Sequence, residues 1–101
     1  MSDELRAFGE VDRIIHEPSR TIILAILSAV ESADFLYLQR ETGLTKGNLS
    51  AHLSKLEEAG YVNIEKTYRG KVPLTLCRIT DEGRTAFDDY RKQLKQFVEN
   101  T

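Results

Sequence analysis

The stretch "TGLTKGNLSAHLSKLEEAG", residues 42–60, reads as one helix between two turns. Leu49, Leu53 and Leu56 stand at i, i+4 and i+7, the spacing of a single helical face, so that face belongs to a core. At about 100° per residue the opposite face carries Gly47, Ser50, Ala51 and Ser54, flanked by Lys46, Asn48 and Lys55. A helix side that meets only water favours Glu, Lys, Gln and Arg, because Gly and short polar residues sacrifice helix propensity. The sacrifice implies something that must approach this face closely. Thr45 supplies the N-cap of this helix and Gly60 its stop.

Working outward, "EPSRTIILAILSAVESA" (17–33) has Pro18 at a first helical position and apolar Ile22, Ile23, Ile26, Leu27 and Val30, which predicts a helix over 18–31. Upstream, Phe8, Val11, Ile14 and Ile15 predict an additional short N-terminal helix that packs against another element or chain. "ADFLYLQRETG" (33–43) is a second short helix closed by Gly43, and Gly43-Leu44 is the tight turn of two helices meeting at an angle. After Gly60 the period becomes two. "YVNIEKTY" (61–68) sets Val62, Ile64 and Lys66 against Tyr61, Asn63, Glu65 and Thr67, and "LTLCRIT" (74–80) sets Leu74, Leu76 and Arg78 against Thr75, Cys77 and Ile79. Gly70 turns the chain between these strands, and Pro73 limits pairing at the start of the second. The last helix starts at Thr80, has Asp81 and Glu82 in its first turn, and repeats Phe87, Tyr90, Leu94 and Phe97 along one stripe. The expected fold is mainly α with a small β-hairpin, in the order α-α-α-β-β-α after the N-terminal helix. It is one domain over 1–101: a helix-turn-helix at about 34–60, a wing at about 61–79 and a terminal helix at about 80–99.

Composition bounds the function. A chain of 101 residues, 41% hydrophobic and 30% charged, supports one core and is too short for two. No apolar run approaches the roughly 18 residues of a membrane span, and "MSDELRAFGEVDR" lacks the form of a signal peptide, so a cytoplasmic protein is expected. The single cysteine, Cys77, excludes an internal disulfide. Net charge is −2, yet residues 45–75 hold five basic against three acidic side chains while residues 1–44 hold four against eight. Positive charge therefore gathers around the bare helix.

Catalytic constellations are missing from the sequence. It has no Gly-rich phosphate loop before a helix and no paired nucleophile and base, and Glu57-Glu58, Asp81-Glu82 and Asp88-Asp89 are adjacent helical residues that point apart. A binding protein rather than an enzyme is expected, with no cofactor.

Through "IHEPSRTIILAIL" (15–27), "FLYLQRETGLTKGNLSAHLSKLEEAGYVNIEK" (35–66) and "RGKVPLTLCRITDEGRTAF" (69–87), the chain resembles the compact winged-helix transcriptional regulators related to the MarR and ArsR families, over about residues 12–90. The resemblance implies sequence-specific binding of double-stranded DNA by a homodimer. A helix enters the major groove only where its outer side lets base edges come near, so Gly47, Ala51 and Ser54 allow approach while Lys46, Asn48, Ser50 and Lys55 reach bases or phosphates. Thr45 and Lys46 add the phosphate-favouring N-terminus. The wing tip, Arg69 and Lys71, is expected on the backbone or minor groove, and Arg40 and Gln39 on phosphates. Tyr68 is either a sugar or phosphate contact or a packed strand residue.

The metal-sensing members of the ArsR group cluster Cys and His, whereas this chain has one Cys and two scattered His, so no metal is expected. His52 lies beside the Leu stripe, as a DNA contact, a pH-sensitive residue or a partly buried histidine bonded within the domain. Cys77 is expected as a packed or exposed strand residue rather than a redox sensor. The terminal segments expose more apolar surface than one core needs, so Phe8, Val11, Ile14, Phe87, Tyr90, Leu94, Phe97 and Val98 are expected at a two-fold interface. An effector ligand between the terminal helices and the DNA-binding region is allowed by the MarR resemblance, although this chain is shorter than full-length members. The alternative is a winged-helix module that binds protein instead of DNA; the overall acidity suits it, but the small, polar, mildly basic helix face does not.

Overall fold

Side-chain caps set the element boundaries in the computed structural model, which describes residues 3–101. Helix α1 (Asp3–Ala7) runs into a 3-10 turn (Phe8–Glu10) and is followed by α2 (Pro18–Ser28), strand β1 (Ala33–Asp34), α3 (Phe35–Thr42), α4 (Lys46–Glu58), β2 (Val62–Arg69), β3 (Val72–Ile79) and α5 (Asp81–Glu99). Asp34, Thr45 and Thr80 each accept a backbone N–H from the residue three positions on, at the starts of α3, α4 and α5. At α2 the longer Glu17 does the same for Arg20, with Pro18 in the first helical position. Helix α4 stops where Gly60 N donates to Glu57 O and Tyr61 N to Leu56 O, both at 2.9 Å. That pair of bonds satisfies terminal carbonyls and requires a left-handed residue, here Gly60 at φ 83°.

The apolar stripe of α4 is buried as its spacing predicts: Leu49, Leu53 and Leu56 join Ile15, Ile23, Leu24, Leu27 and Leu38 in one core. The hairpin closes that core. Its antiparallel register pairs Val62 with Ile79 and Ile64 with Cys77, so Cys77 and Ile79 turn inward while Leu74 and Leu76 lie half-buried on the other side. The sheet has three strands in the order β1-β3-β2, because Ala33 and Asp34 pair with Cys77 and Leu76. That third strand has two residues, too few to show an alternation. Helix α2 ends at Ser28 instead of near residue 31, and Val30 packs against the core from the loop that follows.

The N-terminal segment departs from a helix through Ile15. Asp12 Oδ1 accepts the backbone N–H of Ile14 at 2.8 Å and of Ile15 at 3.3 Å, a local turn that competes with helical bonding. The segment packs on its own chain. Phe8 stacks on Phe97 with ring centroids 4.4 Å apart, and His16 Nδ1 shares a hydrogen bond with the Tyr90 hydroxyl at 2.8 Å. Asp12 also accepts a hydrogen bond from the Tyr61 hydroxyl at the foot of the wing. Burial, then the Asp12 bond and charge and the charge of Glu82, push the Tyr61 phenol up to about 12. A raised phenol pKa means that folding favours the protonated form. The contribution is full below the ordinary value of 10 and disappears as pH rises to about 12. Tyr61→Phe should therefore lower stability by about 1–3 kcal/mol at neutral pH, and urea midpoints of the two proteins should converge across that alkaline window.

Candidate nucleic-acid interface

Helix α4 is held from behind and free in front. Behind it, the Leu stripe is in the core and His52 lies between α4 and the start of α2, with Nδ1 at 3.2 Å from the Arg20 guanidinium and 3.5 Å from Glu17 Oε2. Of the three readings of His52, the structure places it as half-buried and bonded within the domain. Arg20 also donates through Nε to the carbonyl of Ile14 at 2.6 Å, so one guanidinium ties the N-terminal segment to the helix. Burial works against the Glu17 charge, but the N–H groups of Arg20 and Ser19 and the neighbouring His52 and Arg20 outweigh it and hold the carboxyl below its usual value.

In front, Thr45, Lys46, Gly47, Asn48, Ser50, Ala51, Ser54 and Lys55 are all exposed. Apart from the adjacent residues and backbone of its own helix, no heavy atom lies within 4 Å of where a Cβ on Gly47 would stand, so internal packing does not demand a glycine there. Arg40 is exposed on α3, Gln39 is half-buried beside it, and Arg69 and Lys71 are exposed on either side of Gly70, which turns at φ 63°. Among the described residues Lys46, Lys55, Lys66, Arg69 and Lys71 form no ion pair, whereas Arg78 lies 3.6 Å from Glu65. These cations are therefore available to an outside anion. Tyr68 is 70% exposed, so its packed reading does not hold.

The proposed two-fold set divides. Val11, Phe87 and Tyr90 are buried in the chain's own core, and Phe8, Ile14 and Phe97 are half-buried within the same chain. These six make intrachain contacts, because the N-terminal segment and α5 cover one another. Leu94 and Val98 remain outward, 36% and 61% exposed. Cys77 is fully buried, and burial, then the charges of Asp34 and Glu57, push its thiol up to about 11. At neutral pH it is a protonated packing residue rather than a reactive thiolate.

Sequence reasoning overlooked two features. One is the Glu17–Arg20–His52 cluster, because His52 lies far along the chain from the Glu17–Arg20 cap and no local signal joins them. The other is Gly83, buried in the first turn of α5 against the Tyr61 backbone. A glycine inside an otherwise helical first turn was its visible mark.

Comparison with known proteins agrees with this geometry. A model of the winged helix DNA-binding domain matches residues 19–98. An uncharacterized protein of Methanocaldococcus jannaschii is 40% identical over 89 residues, which is 87% of this chain and 96% of that protein. The structure of a transcriptional regulator homologue from Pyrococcus horikoshii is similar with a TM-score of 0.89 and 29% identity, over 98% of this chain and 97% of that one. The transcriptional repressor CouR, solved bound to a 23-mer DNA duplex, shares the fold with a TM-score of 0.71 and 21% identity, over 96% of this chain and 70% of that one.

Proposed function

Because the chain belongs to the winged helix DNA-binding domain family, we propose that it is a sequence-specific DNA-binding transcriptional regulator that acts as a homodimer on a roughly palindromic operator. The observation that carries this reading is the front of α4: small residues along its centre, polar residues beside them, and cations that form no ion pair among the described residues. Placed in a major groove about 12 Å wide, Gly47, Ala51 and Ser54 let the helix axis come near the base edges. Asn48 and Ser50 read hydrogen-bonding groups, and Lys46 and Lys55 meet phosphates together with Thr45 at the helix N-terminus. Arg69 and Lys71 reach the backbone or minor groove from the wing, and Arg40 a phosphate beside α3. Leu94 and Val98, on the outer side of α5, supply the apolar patch through which a second copy docks. Two α4 helices then lie about 34 Å apart, or a multiple of that spacing, on the DNA.

The test is titration of the protein into a labelled fragment from upstream of its own gene, over a range of salt and with excess competitor DNA. Specific binding by two chains per site is expected. The variant Lys46→Ala, Asn48→Ala, Lys55→Ala should bind at least about tenfold more weakly, with a plot of log K against log salt shallower by about 1.8 per chain. Equal binding by wild type and variant would remove α4 as the reader and direct attention to a protein partner.

A further inference from the structure

His52 stands on the edge of α4. At about 100° per residue it falls between the buried Leu49 and Leu56 and the exposed Asn48 and Lys55, about one turn away in either direction. Its side chain keeps 22% of its surface in water. A single ring atom, Nδ1, faces two partners from α2: the Arg20 guanidinium at 3.2 Å and Glu17 Oε2 at 3.5 Å. The two require opposite protonation. A guanidinium only donates, so the Arg20 contact is a hydrogen bond only while Nδ1 keeps its lone pair, in a neutral imidazole with its proton on Nε2. A carboxylate only accepts, so Glu17 bonds Nδ1 only when that atom carries a proton. Either partner is held in place without His52. Arg20 is anchored through Nε on the Ile14 carbonyl at 2.6 Å, and Glu17 caps α2 by accepting the Arg20 N–H at 2.9 Å.

An imidazole ordinarily changes charge between about pH 5 and 8, and Glu17, held below its usual value, is a carboxylate throughout the upper part of that range. The charged groups around His52 govern the proton. From α2, Glu17 attracts it and Arg20 repels it; along α4, Lys55 three residues on also repels it. β2, which also packs on α4, has Glu65 engaged with Arg78, and none of its side chains pairs with His52 among the described residues. Asp12 of the N-terminal segment is taken up by Tyr61 and by the N–H groups of Ile14 and Ile15. In the free chain one carboxylate is thus set against two cations. A DNA phosphate met by Lys55 offsets that lysine and brings a negative charge within about one Debye length, ~8 Å, of the ring. Resting on the DNA-binding reading above, we infer that His52 takes up a proton from solvent when α4 enters the groove, exchanging Arg20 for Glu17 at Nδ1, so that operator affinity rises as the pH falls from 8 to 6. The joint behind the reading helix thereby makes DNA binding responsive to acid.

Operator affinity measured on the same upstream fragment from pH 8 to 6, at constant ionic strength, tests this. For wild type it should rise about threefold or more per chain for each unit of pH, one proton per chain setting a ceiling of about tenfold. His52→Gln keeps a side chain that can accept from Arg20 but cannot take up a proton, and its affinity should not change with pH over that range. His16→Gln, which removes the other histidine, should retain the wild-type slope. Ring nitrogen-15 shifts of His52 read the exchange itself: the proton should lie on Nε2 alone in the free chain at pH 8 and on both nitrogens in the complex at pH 6. They need only the wild-type chain, so they decide even where His52→Gln does not fold. A wild-type slope equal to that of His52→Gln, affinity that falls with falling pH, or a ring that stays neutral in the complex at pH 6 would each overturn the inference alone, provided the α4 triple variant remains defective. Failure of the wild-type protein to bind at any pH, or full binding by the triple variant, would overturn the DNA-binding reading and this inference with it.

Discussion

Gly83→Ala is expected to destabilise the fold by about 2–4 kcal/mol, although helix propensity by itself predicts a gain of about 1 kcal/mol. A Cβ at position 83 would stand 2.2 Å from the Tyr61 carbonyl oxygen and 3.0 Å from Ile79 Cγ1. The carbonyl cannot step aside freely, since it accepts the N–H of Thr80 at 2.9 Å. Thr80 is itself fixed: its hydroxyl donates to the Gly60 carbonyl at 2.6 Å and accepts the Gly83 N–H at 2.9 Å. One joint thus locks the end of α4, the foot of the wing and the start of α5, and it closes only around a residue without a side chain. The thermal midpoint, followed by helical circular dichroism, should fall by roughly 15 °C, given about 4–8 °C per kcal/mol for a domain of this size. A midpoint equal to or above wild type would show that α5 can move off the hairpin without loss.

The helices were legible because each one announces itself twice, by an apolar period and by a cap. Thr45 and Gly60 bracket α4, and Leu49, Leu53 and Leu56 mark its buried side, so nothing outside residues 42–60 was needed to place it. The hairpin was legible as two strands, but not in its facing. Both rows of β3 contain apolar residues, and the choice is made by the pairing of Ile64 with Cys77, a relation between strands that neither one encodes alone. The N-terminal segment misled because its apolar residues have helical spacing while Asp12 offers its carboxylate to the next turn's N–H groups, and the local bonds prevail. The candidate contact face was readable from residue sizes on one helix. The stacking of Phe8 on Phe97 was not, because it joins two residues within one chain across almost its whole length.

Gly47→Glu should separate folding from DNA binding by moving them in opposite directions. Gly47 is the second residue of α4, exposed and without a neighbour that a side chain would strike. Glutamate there has the better helix propensity and brings a negative charge to the helix N-terminus, two effects that together raise stability by about 0.5–1 kcal/mol. The thermal midpoint should rise by a few degrees, about 2–8 °C. Operator binding should fall toward the level of competitor DNA, a loss on the order of 10³-fold. The same side chain fills the gap through which base edges approach and sets a carboxylate where a phosphate would lie. Gly47→Ala divides the two causes, since it gains propensity and adds one methyl but no charge, and its loss of affinity should be much smaller. A more stable Gly47→Glu protein that still bound its operator like wild type would mean that the front of α4 does not meet DNA. The poor helix-forming residues on that face would then need another explanation. Higher stability with binding lost would instead identify the glycine as the concession that the helix makes to its ligand.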